Sequence, residues 1–318
     1  MMPLKTIQTS YFLRAIAILL VVANHSSTLK IGGGMNFLLM LAGFNLALFS
    51  FDKTTKQFAS DLLSMVSRIV IPAYCIILFY AFFYWRFDVN ELMLISNWVN
   101  QSAARVAEIP VWYVQVLAQM SVVIILLFIT INAYDLFKKN IFVTCLIVLL
   151  LAVAPLGLLP NDGYPWGRLP YFYIWNFVLG WFVWCGIQRG DKTTLMLVSC
   201  VSSCVILFAF KNNLTGDSSQ LFRVIFLLIS VNLLIWVKEI RIPSVGIWLV
   251  KLTAKSTLTI FLLHLSYIAI YNHLFLLGDY QLDSMLRFIF TCVMCIASWL
   301  LFTSLKTTIK KLKKANPD

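Results

Sequence analysis

Arg14 and His25 are the residues of this chain whose types and spacing are suited to chemistry. Arginine offers a fixed cationic fork, and histidine a ring that gains or loses a proton near neutrality. They bracket one apolar run, Ala15 to Ala23, in the stretch YFLRAIAILLVVANHSS. On a helix eleven steps of about 100° return to within about 20° of the start, so both side chains share a face, about 16 Å apart along the axis. That is about half the hydrocarbon thickness of a bilayer. Ionisable groups in or at the edge of lipid are expensive, and two in line mark a functional site by default. The competing reading is structural: Arg14 snorkels to the headgroups and His25 hydrogen-bonds a neighbouring helix.

The elements that position this pair are membrane helices. Of 318 residues 61% are hydrophobic, 15% aromatic and 12% charged, too apolar for a soluble domain and typical of an all-α, polytopic integral membrane protein. Apolar runs long enough to span, separated by polar punctuation, fall at 11–27, 35–51, 68–85, 112–133, 141–159, 171–187, 194–211, 221–237, 256–277 and 286–305; they predict about ten transmembrane helices. One membrane domain over 1–318, with no appended soluble domain, is the simplest division. The first run has a basic residue ahead of it, as a signal peptide has, but no small-residue cleavage site follows, so it reads as a retained helix.

The net charge of +12 acquires meaning once the bases are sorted by side. With the N-terminus inside, seventeen of the 25 Lys and Arg fall in inner segments, among them Lys5, Lys53, Lys138, Arg241 and Lys255, and seven in outer ones, among them Arg105, Arg168 and Arg223. Basic residues accumulate in cytoplasmic loops, so both termini are expected in the cytoplasm. The tail KTTIKKLKK is then a stop signal and a contact for anionic lipid; the expected partner is the bilayer, not nucleic acid. The seven cysteines lie inside apolar runs without metal-site spacing and read as small buried apolar residues; no metal is expected.

Other candidates follow along the chain. IGGGMNF, after His25, is a tight connection or a place where a backbone or ligand approaches closely. SRIVIPAY opens the third run with Arg68, and Pro72 falls near its start. EIPVWYVQVL offers Glu108, Trp112 and Tyr113: an outer carboxylate beside aromatic rings that suit either an interfacial belt or an acceptor. LPNDGYPWGRLPYFY packs Trp166 and Arg168 into a rigid outer turn whose mixture of aromatic and polar groups suits a sugar. His264 falls about 13 Å beyond Lys255, near the membrane centre, as a catalyst or an interhelical hydrogen-bonding group; His273 is nearer the outer end.

Taken together, these residues resemble the acyltransferase 3 family of integral membrane O-acyltransferases. RAIAILLVVANH resembles its R-x10-H first helix, GGGMNFLLMLAGFNLA its stretch ending Ser-Gly-Phe, SRIVIPAY its Arg…Pro…Tyr start, VWYVQVL its Trp-Phe/Tyr-Leu segment and TIFLLHLSYI its late Tyr-Leu-x-His segment. The chain departs at Ala42, Phe261 and Val111, where Ser, Tyr and Leu are usual.

The resemblance implies transfer of an acyl group, usually acetyl, from cytoplasmic acyl-CoA to a hydroxyl of a sugar, polysaccharide or lipid-linked glycan at or across the membrane, here a bacterial inner membrane. It implies acetyl-CoA as donor, with Arg14 and Arg68 holding its phosphates. His25 would act as general base on the acceptor hydroxyl or carry the acyl group covalently. Glu108, Trp112, Tyr113, Arg168 and His264 are the candidates for acceptor binding. The rival class is a transporter or flippase with Arg14 and His25 lining a substrate path; repeated halves with matching broken helices, which such a protein would show, are absent from the sequence.

Overall fold

The computed structural model describes residues 4–84, 89–99, 111–130, 133–158, 169–211, 218–275 and 280–315. Its helices are α1 (Thr9–His25), α2 (Gly34–Ser50), α3 (Thr55–Tyr84), α4 (Val89–Leu92), α5 (Ser96–Val99), α6 (Val111–Thr130), α7 (Ala133–Lys139), α8 (Ile141–Val153), α9 (Pro155–Leu158), α10 (Ile174–Arg189), α11 (Lys192–Ala209), α12 (Ser218–Trp236), α13 (Ser244–Lys255), α14 (Thr257–Leu274) and α15 (Tyr280–Ala315). Among the described residues, five segments are long and apolar enough to cross a membrane: Thr55–Phe79, Ile141–Leu158, Lys192–Ala209, Thr257–Leu274 and Asp283–Thr308. Thr9–His25, Gly34–Ser50, Trp112–Phe128 and Gln220–Trp236 are shorter apolar helices. Each of the ten predicted runs overlaps helical residues, but the run at 141–159 is divided between α8 and α9, and that at 68–85 is only part of α3.

The all-α architecture has one exception. Strands β1 (Leu4–Gln8) and β2 (Glu239–Pro243) pair antiparallel, from Leu4 opposite Pro243 to Gln8 opposite Glu239. The N–H of Thr9 donates to the Lys238 carbonyl at 3.1 Å, so α1 starts directly from this ribbon. At the same end of the bundle Lys53 pairs with Asp61 at 2.7 Å, and Lys138 donates to the Lys53 carbonyl at 2.8 Å. Bases that the charge count assigns to one side of the membrane therefore gather at one end.

Helix α1 lies against α2, α12, α13, α14 and α15, and its buried residues include Leu13, Ala17, Ile18, Val21 and Val22. Small residues bring the backbones of α2 and α10 together. A Cβ at Gly43 would stand 1.9 Å from the Phe177 carbonyl oxygen, and one at Gly180 2.1 Å from that of Met40. Without water to drive helices together in lipid, such close backbone contact is what van der Waals association requires.

Three expectations are corrected. Helix α3 starts at Thr55, not near 68, because Thr54 and Gln57 form a capping box: the Thr54 N–H donates to Gln57 Oε1 at 3.2 Å and the Gln57 N–H to Thr54 Oγ1 at 3.4 Å. Pro72 consequently falls inside α3, where its missing N–H withdraws the helical hydrogen bond from the Arg68 carbonyl. Cys145, Cys185, Cys292 and Cys295 are buried as expected, but Cys75, Cys200 and Cys204 sit on outward faces.

Candidate functional site

The two ends of α1 hold the pair. Arg14 is half-buried, with its guanidinium carbon 5.9 Å from the ring centre of Tyr11, one turn earlier. His25 is the last residue of α1 and is exposed. The turn after it is fastened: Ser26 Oγ donates to the Ala23 carbonyl at 3.2 Å and lies 2.9 Å from Thr28 Oγ1, which donates to the Ser284 carbonyl of α15 at 2.8 Å.

Helix α14 brings His264 against His25, with ring centroids 5.1 Å apart and planes at 49°. His264 is fully buried. Its Nδ1 is 2.8 Å from the Phe261 carbonyl and 3.1 Å from that of Ile260. Carbonyl oxygens only accept, so Nδ1 carries the proton and Nε2 presents a lone pair. That Nε2 is buried and has no hydrogen-bond partner among the described residues.

Between the two ends of the pair stands Tyr113, at the start of α6. It is buried, its ring centroid lies 4.7 Å from that of Phe261, and it lies within electrostatic range of the Arg14 guanidinium. Phe261 in turn lies 6.0 Å from the His264 ring. Trp112 meets Tyr113 edge-on at 6.5 Å and tilts over Tyr173 at 5.3 Å. Tyr113 and Trp112 thus belong to the interior of the bundle, not to an interfacial belt. The first turn of α6 reaches inward far enough to place a phenol opposite Arg14.

Five of the predicted site residues, Arg14, His25, Trp112, Tyr113 and His264, therefore converge. Arg68 does not join them: it is exposed on α3, where its charge acts on Asp61. Glu108 and Arg168 lie outside the described residues. His273 is exposed near the end of α14. Two residues were missed, Tyr173 ahead of α10 and Arg223 on α12. Tyr173 is close enough to Arg223 to act on its charge. The signal for Arg223 was its position inside an apolar run, where an arginine is a functional candidate; counting it only for topology hid it. No cluster of three or more metal-ligating side chains occurs among the described residues.

The apolar helices thus bring together an arginine, two imidazoles, one of them buried, and a buried phenol. The family model of acyltransferase 3, described as an acyltransferase domain, matches residues 11–304, nearly the whole chain. The chain belongs to that family and is a membrane acyltransferase. Comparisons with curated proteins and with solved structures gave no match.

Proposed function

We propose that the protein is an O-acyltransferase that moves an acetyl group from acetyl-CoA, supplied at the ribbon end of α1, to a hydroxyl of a sugar or glycolipid at the His25 end. The observation that carries this reading is the contact of exposed His25 with a buried His264 whose tautomer is fixed by backbone carbonyls. His25 takes the proton of the acceptor hydroxyl as the new C–O bond forms at the acyl carbonyl. The C–S bond of the thioester breaks and coenzyme A leaves as thiol with that proton.

Arg14, at the other end of the same helix, is the cation for the donor's phosphates, held half-buried beside Tyr11 and Tyr113. Arg68 has no part in this reading, since its charge faces Asp61. The ribbon end carries the excess of bases and is taken as cytoplasmic, in a bacterial inner membrane. Mass spectrometry of surface glycans from cells carrying the wild-type gene or His25→Ala tests the proposal. Acetyl esters present with the first and absent with the second support it; identical acetylation overturns it.

A further inference from the structure

Arg223 is not used by this mechanism, yet it is built in with some cost. It sits half-buried in the apolar helix α12, and its guanidinium carbon lies 5.7 Å from the ring centre of Phe210. Its Nε is buried without an acceptor, and no carboxylate pairs with it among the described residues. A guanidinium drawn out of water without an anion is unfavourable unless another partner completes it.

The turn that follows His25 is shaped around it. A Cβ at Gly32 would stand 2.6 Å from Arg223 Nε and 3.1 Å from Nη2, the edge that grips an oxyanion with two parallel N–H bonds. Gly33, at φ 92°, packs on the stem of the same side chain: a Cβ there would lie 3.2 Å from Cγ and 3.0 Å from the Arg223 carbonyl oxygen. Only glycine leaves that edge free of a side chain while the backbone passes this close. Tyr173, within electrostatic range of this cation, begins a series of ring neighbours that runs through Trp112, Tyr113 and Phe261 to His264 in the His25 site.

We infer that Arg223, laid on the Gly32–Gly33 turn, recognises an anionic group of the acceptor, so that the molecule acylated is an acidic sugar bearing a carboxylate or phosphate rather than a neutral one. This rests on the acyl-transfer reading for the identity of the acceptor, but not for the existence of the anion site.

The test uses the full chain purified in detergent and three probes: methyl glucoside, methyl glucuronide and methyl glucoside 6-phosphate. In thermal melting, the charged probes should raise the midpoint of the wild type and the neutral one should not; the carboxylate and phosphate arms identify which anion fits. Arg223→Gln should lose that response, Arg223→Lys should keep part of it, and Gly32→Ala, whose methyl at 2.6 Å from Nε must push the guanidinium off the turn, should lose it. In transfer from radiolabelled acetyl-CoA, the charged-to-neutral ratio of kcat/KM should fall about tenfold in Arg223→Gln, as the loss of one charge-assisted pair predicts. Equal response to all three probes in the wild type, or a charged response that survives Arg223→Gln, overturns the inference. If the melting response follows Arg223 but no probe is acylated, the anion site stands and the acyl-transfer reading falls. Transfer without charge preference leaves acyl transfer standing and removes the role of Arg223.

Discussion

The imidazole rings of His25 and His264 lie 5.1 Å apart, one exposed at the end of α1 and the other fully buried in α14. Backbone carbonyls hold the proton of His264 on Nδ1, so the buried ring faces its environment as an acceptor. The exposed imidazole of His25 therefore lies against a ring whose one lone pair has no hydrogen-bond partner among the described residues.

His25→Ala should abolish acyl transfer while the protein still extracts and elutes as a folded species, because an exposed side chain at a helix end is removed and no apolar packing is lost. Full activity in a well-expressed variant would sink the mechanism.

His264→Phe keeps a ring of similar size but removes the Nε2 lone pair. Turnover should drop about a hundredfold, in the range that positioned acid–base groups contribute, with KM for either substrate little changed. A variant that loses donor affinity and keeps kcat would make His264 part of the donor site.

Arg14→Lys keeps the charge and loses the planar fork, so KM for acetyl-CoA should rise with the acceptor KM unchanged. Steady-state kinetics with each substrate varied in turn separates the two. An effect confined to the acceptor would place Arg14 at the other end of the reaction path.

In sealed vesicles of known orientation, acetyl-CoA supplied on the ribbon side should support the reaction, and a single cysteine placed beside Lys311 in a cysteine-free background should label from that same side. Labelling from the opposite side inverts the proposed topology. If the labelling agrees but only donor on the far side works, Arg14 is not at the donor mouth.

Gly43→Val should lower the melting temperature by several degrees, since a side chain there collides with the Phe177 carbonyl and must part α2 from α10. Overpacking of this kind costs about 1–3 kcal/mol and sometimes more. Val at exposed Ser60, on α3, is the control. An unchanged melting curve for Gly43→Val would mean that the two helices are not in backbone contact.

Much of the bundle was legible because apolar length is a one-dimensional signal: all ten runs overlap helical residues, although five segments among the described residues are long and apolar enough to cross a membrane, and the spacing of Arg14 and His25 put both on one face of α1. The eye for twenty-residue runs missed α13, whose Lys251 and Lys255 interrupt the apolar pattern, and β1 and β2, which are five residues each and show little buried surface. His264 was visible as a lone imidazole, but its contact with His25 joins positions 239 residues apart in the chain, which no local period encodes. Arg223 was read as a topology marker because the space made for it by Gly32 lies on another helix pair.

The ribbon of β1 and β2 governs more than the chain's first residues. Thr9 follows Gln8 without a linker, and Ser244 follows Pro243 in the same way, so α1 and α13 extend rigidly from two strands whose pairing is discrete. Strands that keep their faces slip in steps of two residues, about 7 Å, a distance larger than the 5.1 Å between the His25 and His264 rings. The pairing of Lys5 with Ile242 and Ile7 with Ile240 therefore works as a depth stop. It sets from outside the bundle how far the first helix is inserted, and with it whether the two imidazoles meet.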